Sequence, residues 1–426
     1  MKKCETEGKN SFAVTPPMGW NSYDYFDTAV TEDDIKAAAD YMSANLKKHG
    51  WEYIVVDIEW YAVGAGSRRY MYQYIPFADV MMDEYSRLIP DEVRFPSSKG
   101  GAGFKALADY VHEKGLRFGI HIMRGIPRQA AHTHTAILGS DTNASDLADP
   151  SNICQWNPDM YGVRVDDKNI EAAQAYYDSI FKLYAQWGVD FVKCDDICRM
   201  DMPSAKKEIE LLHNAIMKSG RAIVLSLSPG PAIVEEAWHY EKYANMWRIT
   251  DDFWDNWDLL KAMFFRCERW QDHVSAGCWP DCDMLPLGQL GKGFGHEWKC
   301  NFTKAEQRTM MTLWCIFRSP LMLGGNLTGY DEDTLKLLTN DNVLALLNND
   351  YKAVQIERDD DHAIWMTRDA ADNNKIYLAY FNLKDEKSSC TLDISECTDL
   401  WTGERYTGDG KVSVEAEPHG CVLVSC

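Results

Sequence analysis

YIVVDIEW, residues 53–60, is an apolar run of strand length that closes on acid, isoleucine, acid. An apolar run without alternation fits a strand covered on both faces, as in a parallel sheet. Carboxylates at the end of such a strand are costly unless they are paired or used. Comparable strand candidates recur in FAVTPPMGW (12–20), LRFGIHIM (116–123), DFVKCDD (190–196), AIVLSLS (222–228), MWRITDD (246–252), GCWPDCDML (277–285) and SPLMLGG (319–325). Between them lie helical patterns such as TEDDIKAAADYMSANLKKHG, with Thr31 as N-cap, and KNIEAAQAYYDSIFKLYAQWG, closing on Gly188. Eight β-then-α units in series predict an α/β fold, a parallel (β/α)8 TIM barrel whose ligand end is where each strand meets its following loop.

The connections after the second and third strands are long. Loops of that length inside a compact domain are usually functional, so both are expected to wall a pocket. After LLTNDNVLALLNND the texture changes to short alternating runs, AIWMTRD, KIYLAYFNL, SCTLDI and KVSVEAE, separated by turn residues. The chain therefore reads as a catalytic barrel over residues 1–349 and an antiparallel β domain over 350–426.

A length of 426 residues exceeds what one ordinary core supports, in keeping with two domains. The net charge of −21 repels phosphate backbones and anionic lipid, so nucleic acid and membrane surfaces are set aside as partners. The 15 Trp and 21 Tyr suit stacking on sugar rings and equally suit a large core. The first residues, MKKCETEGKNSFAVTPPMGW, contain no apolar segment of the export-signal type, and no run is long enough to span a bilayer. The 13 Cys are odd in number and scattered, which favours reduced thiols; a cytoplasmic location is expected. A homo-oligomer is compatible with the sequence.

Several strands end in acid: Asp57 and Glu59, Asp195 and Asp196, Asp251 and Asp252, Asp281 and Asp283. Lys193 and Asp195, two apart on a strand, point to the same side, where the lysine can keep the carboxylate ionised as a nucleophile requires. Arg248 and Asp252 are four apart and share a side if the strand continues. One ionised carboxylate facing another that carries a proton is what a retaining glycosidase uses. Spacing alone leaves a second reading equally open, in which the acid pairs are helix caps or surface acids. Metal binding is the rival use, with His132 and His134 in HTH and Asp281, Cys282 and Asp283 in DCD as candidates. Neither has the spacing of a structural zinc site, and no metal or cofactor is expected. Nucleophile-elbow, phosphate-loop and dinucleotide-binding glycine motifs do not occur in the sequence.

TPPMGWNSYDYF, YIVVDIEW, GVDFVKCDD, WRITDDFWDNW, CWPDCDMLPLG and RSPLMLGGNL occur in the order seen in glycoside hydrolase family 27. From about Pro16 to Asp350 the chain resembles that family of α-galactosidases and α-N-acetylgalactosaminidases. The resemblance implies an exo-acting retaining glycosidase without metal, on a (β/α)8 barrel followed by a β-sandwich, with terminal sugars of glycans as substrates. By position it makes Asp195 the nucleophile and Asp252 the acid/base. Asp57 matches the first of two adjacent aspartates that grip the sugar's far hydroxyls, Asp283 a further sugar-contacting aspartate, and Lys193 and Arg248 sugar-binding cations.

The departures concern specificity. Ile58 stands where the family usually has the second aspartate, Tyr23 where a tryptophan commonly stacks on the sugar, and His121 where a tyrosine is common. Ser228 replaces a glutamate that some members use on the C2 hydroxyl, and Ile197 removes a cysteine of a disulfide found in some members. In α-galactosidases the aspartate pair holds the 4- and 6-hydroxyls, so Ile58 deletes an acceptor and puts methyl groups where the C5 hydroxymethyl would lie. Burying that group unpaired costs ~1–3 kcal/mol, tenfold or more in selectivity. L-Arabinopyranose has the galactose ring without the hydroxymethyl, and its β-L-glycoside shares the ring stereochemistry of an α-D-galactoside. The sequence thus favours β-L-arabinopyranosides over α-D-galactosides. An ordinary α-galactosidase binding O6 through Glu59 or Trp156 is the alternative, and an α-N-acetylgalactosaminidase, given the room left by Ser228, is a third. A non-catalytic sugar-binding protein is disfavoured because both catalytic acids are present.

Overall fold

The computed structural model describes residues 8–426; the part of the export-signal reading that rests on residues 1–7 lies outside them. Eight short parallel strands appear where the sequence places them: β1 (Met18–Asn21), β2 (Tyr53–Val56), β3 (Arg117–Met123), β4 (Phe191–Asp195), β5 (Val224–Leu227), β6 (Met246–Arg248), β7 (Trp279–Asp281) and β8 (Leu321–Leu323). Their order in space runs β7-β6-β5-β4-β3-β2-β1-β8. The two outer strands are joined not by a ladder but by a parallel bridge from Leu285 to Leu323, with Leu285 N donating to Met322 O at 2.7 Å and Gly324 N to Leu285 O at 3.0 Å. The first strand is shorter than the run that predicts it. Pro16 and Pro17 precede it, and proline has no N–H to give to a ladder.

The predicted helix punctuation is present. Thr31 caps Glu32–Asn45 in a capping box with Asp34, and Gly188 ends Ile170–Trp187 in a left-handed conformation. Among the described residues no helix is long and apolar enough to cross a membrane.

Strand parity then decides what fills the barrel. Tyr53 and Val55 of β2, Phe191 of β4, Val224 of β5, Met246 of β6, Trp279 of β7 and Met322 of β8 form one buried cluster. Gly119 of β3 pairs in register with Val55 and Phe191, and a Cβ there would lie 2.9–3.0 Å from their side chains. Continuing the same parity two residues at a time brings Asp57, Lys193, Asp195, Ser226, Ser228, Arg248, Asp281 and Asp283 to the inner side at or beyond the strand ends. Asp57, Asp195, Asp281 and Asp283 therefore converge because each lies an even number of residues beyond an apolar barrel-filling residue.

The C-terminal part is an antiparallel sandwich. One sheet has the order β9-β10-β11-β16-β13-β14, made of β9 (Val354–Arg358), β10 (His362–Arg368), β11 (Ile376–Asn382), β13 (Glu396–Asp399), β14 (Arg405–Thr407) and β16 (Cys421–Ser425). The other pairs β12 (Ser388–Leu392) with β15 (Val412–Ala416). Ile364, Leu378, Val422 and Val424 of the first sheet meet Leu392, Val412 and Val414 of the second in a separate core. The opposite face of the large sheet, with Trp365, Phe381 and Leu423, joins the barrel's own core. Trp257 stacks on His419 across that contact at 3.8 Å between ring centroids.

Candidate active site

A cavity opens at the C-terminal end of the barrel strands, lined by Tyr23, Asp57, Ile58, Lys193, Asp195, Arg248, Asp252 and Asp283 among others. Eight of the ten residues picked from sequence thus meet on one wall. The long connections after β2 and β3 reach it as well, since Tyr74 of the first and Trp156 of the second line the cavity and contact each other at 5.6 Å between ring centroids.

Asp195, the last residue of β4, is buried at the cavity floor. His121 lies beside it on β3, in register with Lys193. Its Nε2 is 3.0 Å from Asp195 Oδ2 and must be the donor, since an ionised carboxylate only accepts. The Asp196 N–H donates to Oδ1 at 2.9 Å. Burial alone would raise the Asp195 carboxyl; the His121 hydrogen bond and the charge of Lys193 instead hold it well below the usual carboxylate range. The group is ionised and fixed in orientation, as a nucleophile requires.

Lys193 helps to keep Asp195 ionised, as its spacing suggests, but its direct ion pair is with another acid. Its Nζ is 3.1 Å from Asp57 Oδ2, across the barrel on β2's end. The Lys193 side chain is long enough to leave its own strand, and its effect on Asp195 is that of a nearby charge. Asp57 also accepts from Asn21 Nδ2 at 2.6 Å and from the Ile58 N–H at 2.8 Å. Its burial would raise the carboxyl, but Lys193 and His121 with these donors keep it below its ordinary value. Ile58, 1% exposed, follows it in the cavity wall.

Arg248 of β6 forks between two acids, Nη2 to Asp252 Oδ1 at 2.7 Å and Nη1 to Asp283 Oδ1 at 2.8 Å. Asp252 stands at the mouth with 57% of its side chain exposed, whereas Asp283 is buried. Burial pushes the Asp283 carboxyl up to about 7, with Arg248 pulling the other way. Asp283, Asp196 and Glu59, all just beyond strand ends at this rim, have positive φ (77°, 59° and 62°). Such backbone strain in non-glycine residues clusters where geometry serves function.

Two expected sugar contacts are corrected. His121 is fully buried beneath Asp195 and does not line the cavity, because its strand register sets it behind that carboxylate. Ser228 is also off the cavity wall. It faces a small void inside the barrel with Asn21, Ser226 and Met322, while its backbone extends β5 by donating to Cys194 O and accepting from Ile197 N. Its neighbour Pro229 reaches the cavity instead. Glu59 is fully buried beside Asp159 and does not line the cavity, so Trp156 alone of the two alternative O6 contacts lies on its wall. His132 and His134 are exposed, with His134 Nδ1 2.8 Å from Ser145 Oγ. Cys282 points to Cys267, Sγ to Sγ 3.5 Å.

Sequence reasoning missed Asp24, Tyr74, Arg199, Trp254 and Met284, all on the cavity wall, where Asp251, one of its strand-end acids, also lies. Asp24 is buried, its Oδ2 has no partner among the described residues, and burial together with Asp283 raises its carboxyl well above the usual range. Asp24, Trp254 and Met284 fall inside quoted motifs, which is the signal that could have found them; Tyr74 lies in the long connection expected to wall a pocket.

The family model described as Alpha galactosidase A matches residues 15–167 and 161–350, and the one described as Alpha galactosidase C-terminal beta sandwich domain matches 359–425. Alpha-galactosidase 2 of Arabidopsis thaliana is 27% identical over 429 residues, covering 97% of this chain and 90% of that protein. A solved structure of a GH27 β-L-arabinopyranosidase from Geobacillus stearothermophilus, in complex with arabinose, is 50% identical, covers 99% of both chains and superposes with a TM-score of 0.92. A Bacillus halodurans protein described as a candidate α-N-acetylgalactosaminidase is 44% identical over 96% of both chains, with a TM-score of 0.84.

Proposed function

Since this chain belongs to glycoside hydrolase family 27, the alpha-galactosidase A family, and is an O-glycosyl hydrolase, we propose that it is an exo-acting retaining enzyme that prefers terminal β-L-arabinopyranosides, with α-D-galactosides as slower substrates. The observation that carries the preference is Ile58, buried in the cavity wall directly after the charge-clamped Asp57. Asp57 and Lys193 take hydroxyls of the ring, and the Ile58 methyl groups occupy the space a C5 hydroxymethyl would need. The arabinopyranosidase from Geobacillus stearothermophilus, at 50% identity, supports the same glycone.

In the mechanism, the Asp195 carboxylate attacks the anomeric carbon while protonated Asp252 gives its proton to the glycosidic oxygen, and the bond from that carbon to the leaving oxygen breaks. The resulting ester between Asp195 and the sugar is hydrolysed by a water that Asp252 deprotonates. Two inversions retain the anomeric configuration. The roles suit the surroundings: Asp195 is held ionised by a donor it cannot lose without moving, and Asp252 is exposed enough to exchange protons with solvent.

The test is kcat/KM on para-nitrophenyl β-L-arabinopyranoside, α-D-galactopyranoside and α-N-acetylgalactosaminide side by side. Preference for the arabinoside is expected. Preference for the galactoside refutes the role of Ile58 and leaves an α-galactosidase that reaches O6 through another residue, such as Trp156.

A further inference from the structure

Tyr23 stands on the cavity wall where the family commonly carries a tryptophan. A phenol in place of an indole brings a hydroxyl that must find partners inside the protein, because a buried hydroxyl without them is costly. The connection after β2 supplies these partners. Gln73 Nε2 donates to Tyr23 Oη at 2.9 Å, and the neighbouring Tyr74 shares a hydrogen bond with the same hydroxyl. Burial raises both phenols above their ordinary value, so both stay neutral.

This segment is fixed rather than draped. The same Gln73 nitrogen lies 3.2 Å from Asp27 Oδ1, and Asp27 pairs through Oδ2 with Arg69 Nε at 2.6 Å. Residues 69–74 are thereby tied at two points to the residues that directly follow β1. Asp27 is fully buried and holds a left-handed backbone at φ +52°, a cost that its two partners help to offset. Tyr74 itself lines the cavity and packs on Trp156 of the connection after β3 at 5.6 Å between ring centroids. The Tyr23 ring has Lys193 Nζ 5.6 Å from its centroid and meets Phe294 at right angles at 5.5 Å. A tilt of Tyr23 would therefore disturb the cation that holds Asp57.

We propose that the hydrogen-bonded pair Tyr23 and Tyr74 takes the place of a single indole in the wall around the terminal sugar, with Tyr74 touching that sugar and Gln73 acting as a positioning residue for Tyr23. The proposal deepens the proposed function and rests on it only in taking this cavity as the terminal-sugar site. It holds for either terminal sugar, whose choice is left to Ile58.

The test uses the para-nitrophenyl glycoside that the wild type hydrolyses best and the glycosyl fluoride of the same sugar. Tyr74→Ala is expected to lower kcat/KM about 2- to 10-fold, equally on both substrates, since they share the sugar and differ in the leaving group. Tyr23→Trp alone is expected to lower kcat/KM because the indole meets Gln73 and Tyr74. Tyr23→Trp combined with Tyr74→Ala is expected to recover activity relative to Tyr23→Trp, a rescue that neither misfolding nor a merely structural Tyr74 would give. Gln73→Leu is expected to lower kcat/KM in the wild type and to do so less in a Tyr23→Phe background, where the hydroxyl it serves is gone. Unchanged kcat/KM in Tyr74→Ala, a loss confined to the para-nitrophenyl substrate, or a double variant no better than Tyr23→Trp overturns the role of Tyr74. An equal Gln73→Leu loss in both backgrounds overturns the role of Gln73. A wild-type preference for the galactoside refutes the Ile58 reading alone, and the same variants are then compared on the galactosyl pair of substrates.

Discussion

Ile58→Asp restores the acceptor that the proposed selectivity lacks, and its consequences can be worked out from the surroundings of Ile58. In the parent a C5 hydroxymethyl meets methyl groups at a site 1% exposed, so its hydroxyl is desolvated with no partner. A carboxylate there offers a hydrogen bond to a charged group, ~1.5–3 kcal/mol, and each 1.4 kcal/mol is tenfold. The galactoside-to-arabinoside ratio of kcat/KM should therefore rise by about 10- to 150-fold. The new acid would share Lys193 with Asp57, whose carboxylate already takes that cation at 3.1 Å. Two carboxylates on one lysine in a buried site raise the pKa of one of them, so the gain should be largest at the alkaline end of the activity range and the variant should be less stable. Ile58→Ala separates space from chemistry: it makes room without an acceptor and should shift the ratio less than Asp does. The assay is kcat/KM on the two para-nitrophenyl glycosides across pH for the parent and both variants. If neither substitution moves the ratio, Ile58 does not exclude the hydroxymethyl and the specificity reading is wrong.

Asp195→Ala should abolish turnover of every glycoside while the far-ultraviolet circular dichroism stays that of the parent; activity above a trace would remove Asp195 from the nucleophile's role. His121→Phe deletes the hydrogen bond that does most to hold Asp195 ionised, so the Asp195 pKa rises and the acid limb of kcat/KM should move up by about 1–2 pH units; a limb that stays put while kcat falls would make His121 a packing residue only. Burial and Asp283 raise the Asp24 carboxyl well above its usual range, so it binds a proton more tightly folded than unfolded and costs stability once pH exceeds its unfolded value of about 3.9. Asp24→Asn should accordingly raise Tm at pH 7 and leave it unchanged near pH 3, and a lower Tm at pH 7 would mean that the carboxylate is ionised and bonded.

The barrel was legible because its strands are short apolar runs between well-punctuated helices, and because two prolines, a capping Thr31 and a terminal Gly188 mark boundaries by local chemistry alone. How β7 meets β8 was not legible. The link is the single bridge at Leu285, two residues past Asp283 at the very end of the run 277–285, whose ladder stops at Asp281. The C-terminal sandwich showed itself through alternation, since each of its strands has one face on a core and the other towards solvent or the barrel.

The site was legible to the extent that parity alone determines it. Asp57, Lys193, Asp195, Arg248 and Asp283 each follow a barrel-filling residue by two or four positions, and the period of a strand brings them inward together. Parity fixes direction but not depth, which is why Ser228, inward like the rest, ends up behind the cavity, and His121 under the nucleophile. Partner choice lies further from reach, because a lysine's four methylenes span a barrel and its nearest sequence neighbour need not be its counter-ion. Lys193 pairs with Asp57, 136 residues away, and helps to keep Asp195 ionised by its charge alone, while the hydrogen-bond donor to Asp195 comes from β3. This exchange has a chemical consequence. Lys193, locked to Asp57, and His121, hydrogen-bonded to Asp195, each act on both carboxylates, so the proposed sugar clamp and the proposed nucleophile are tuned by the same pair of neighbours.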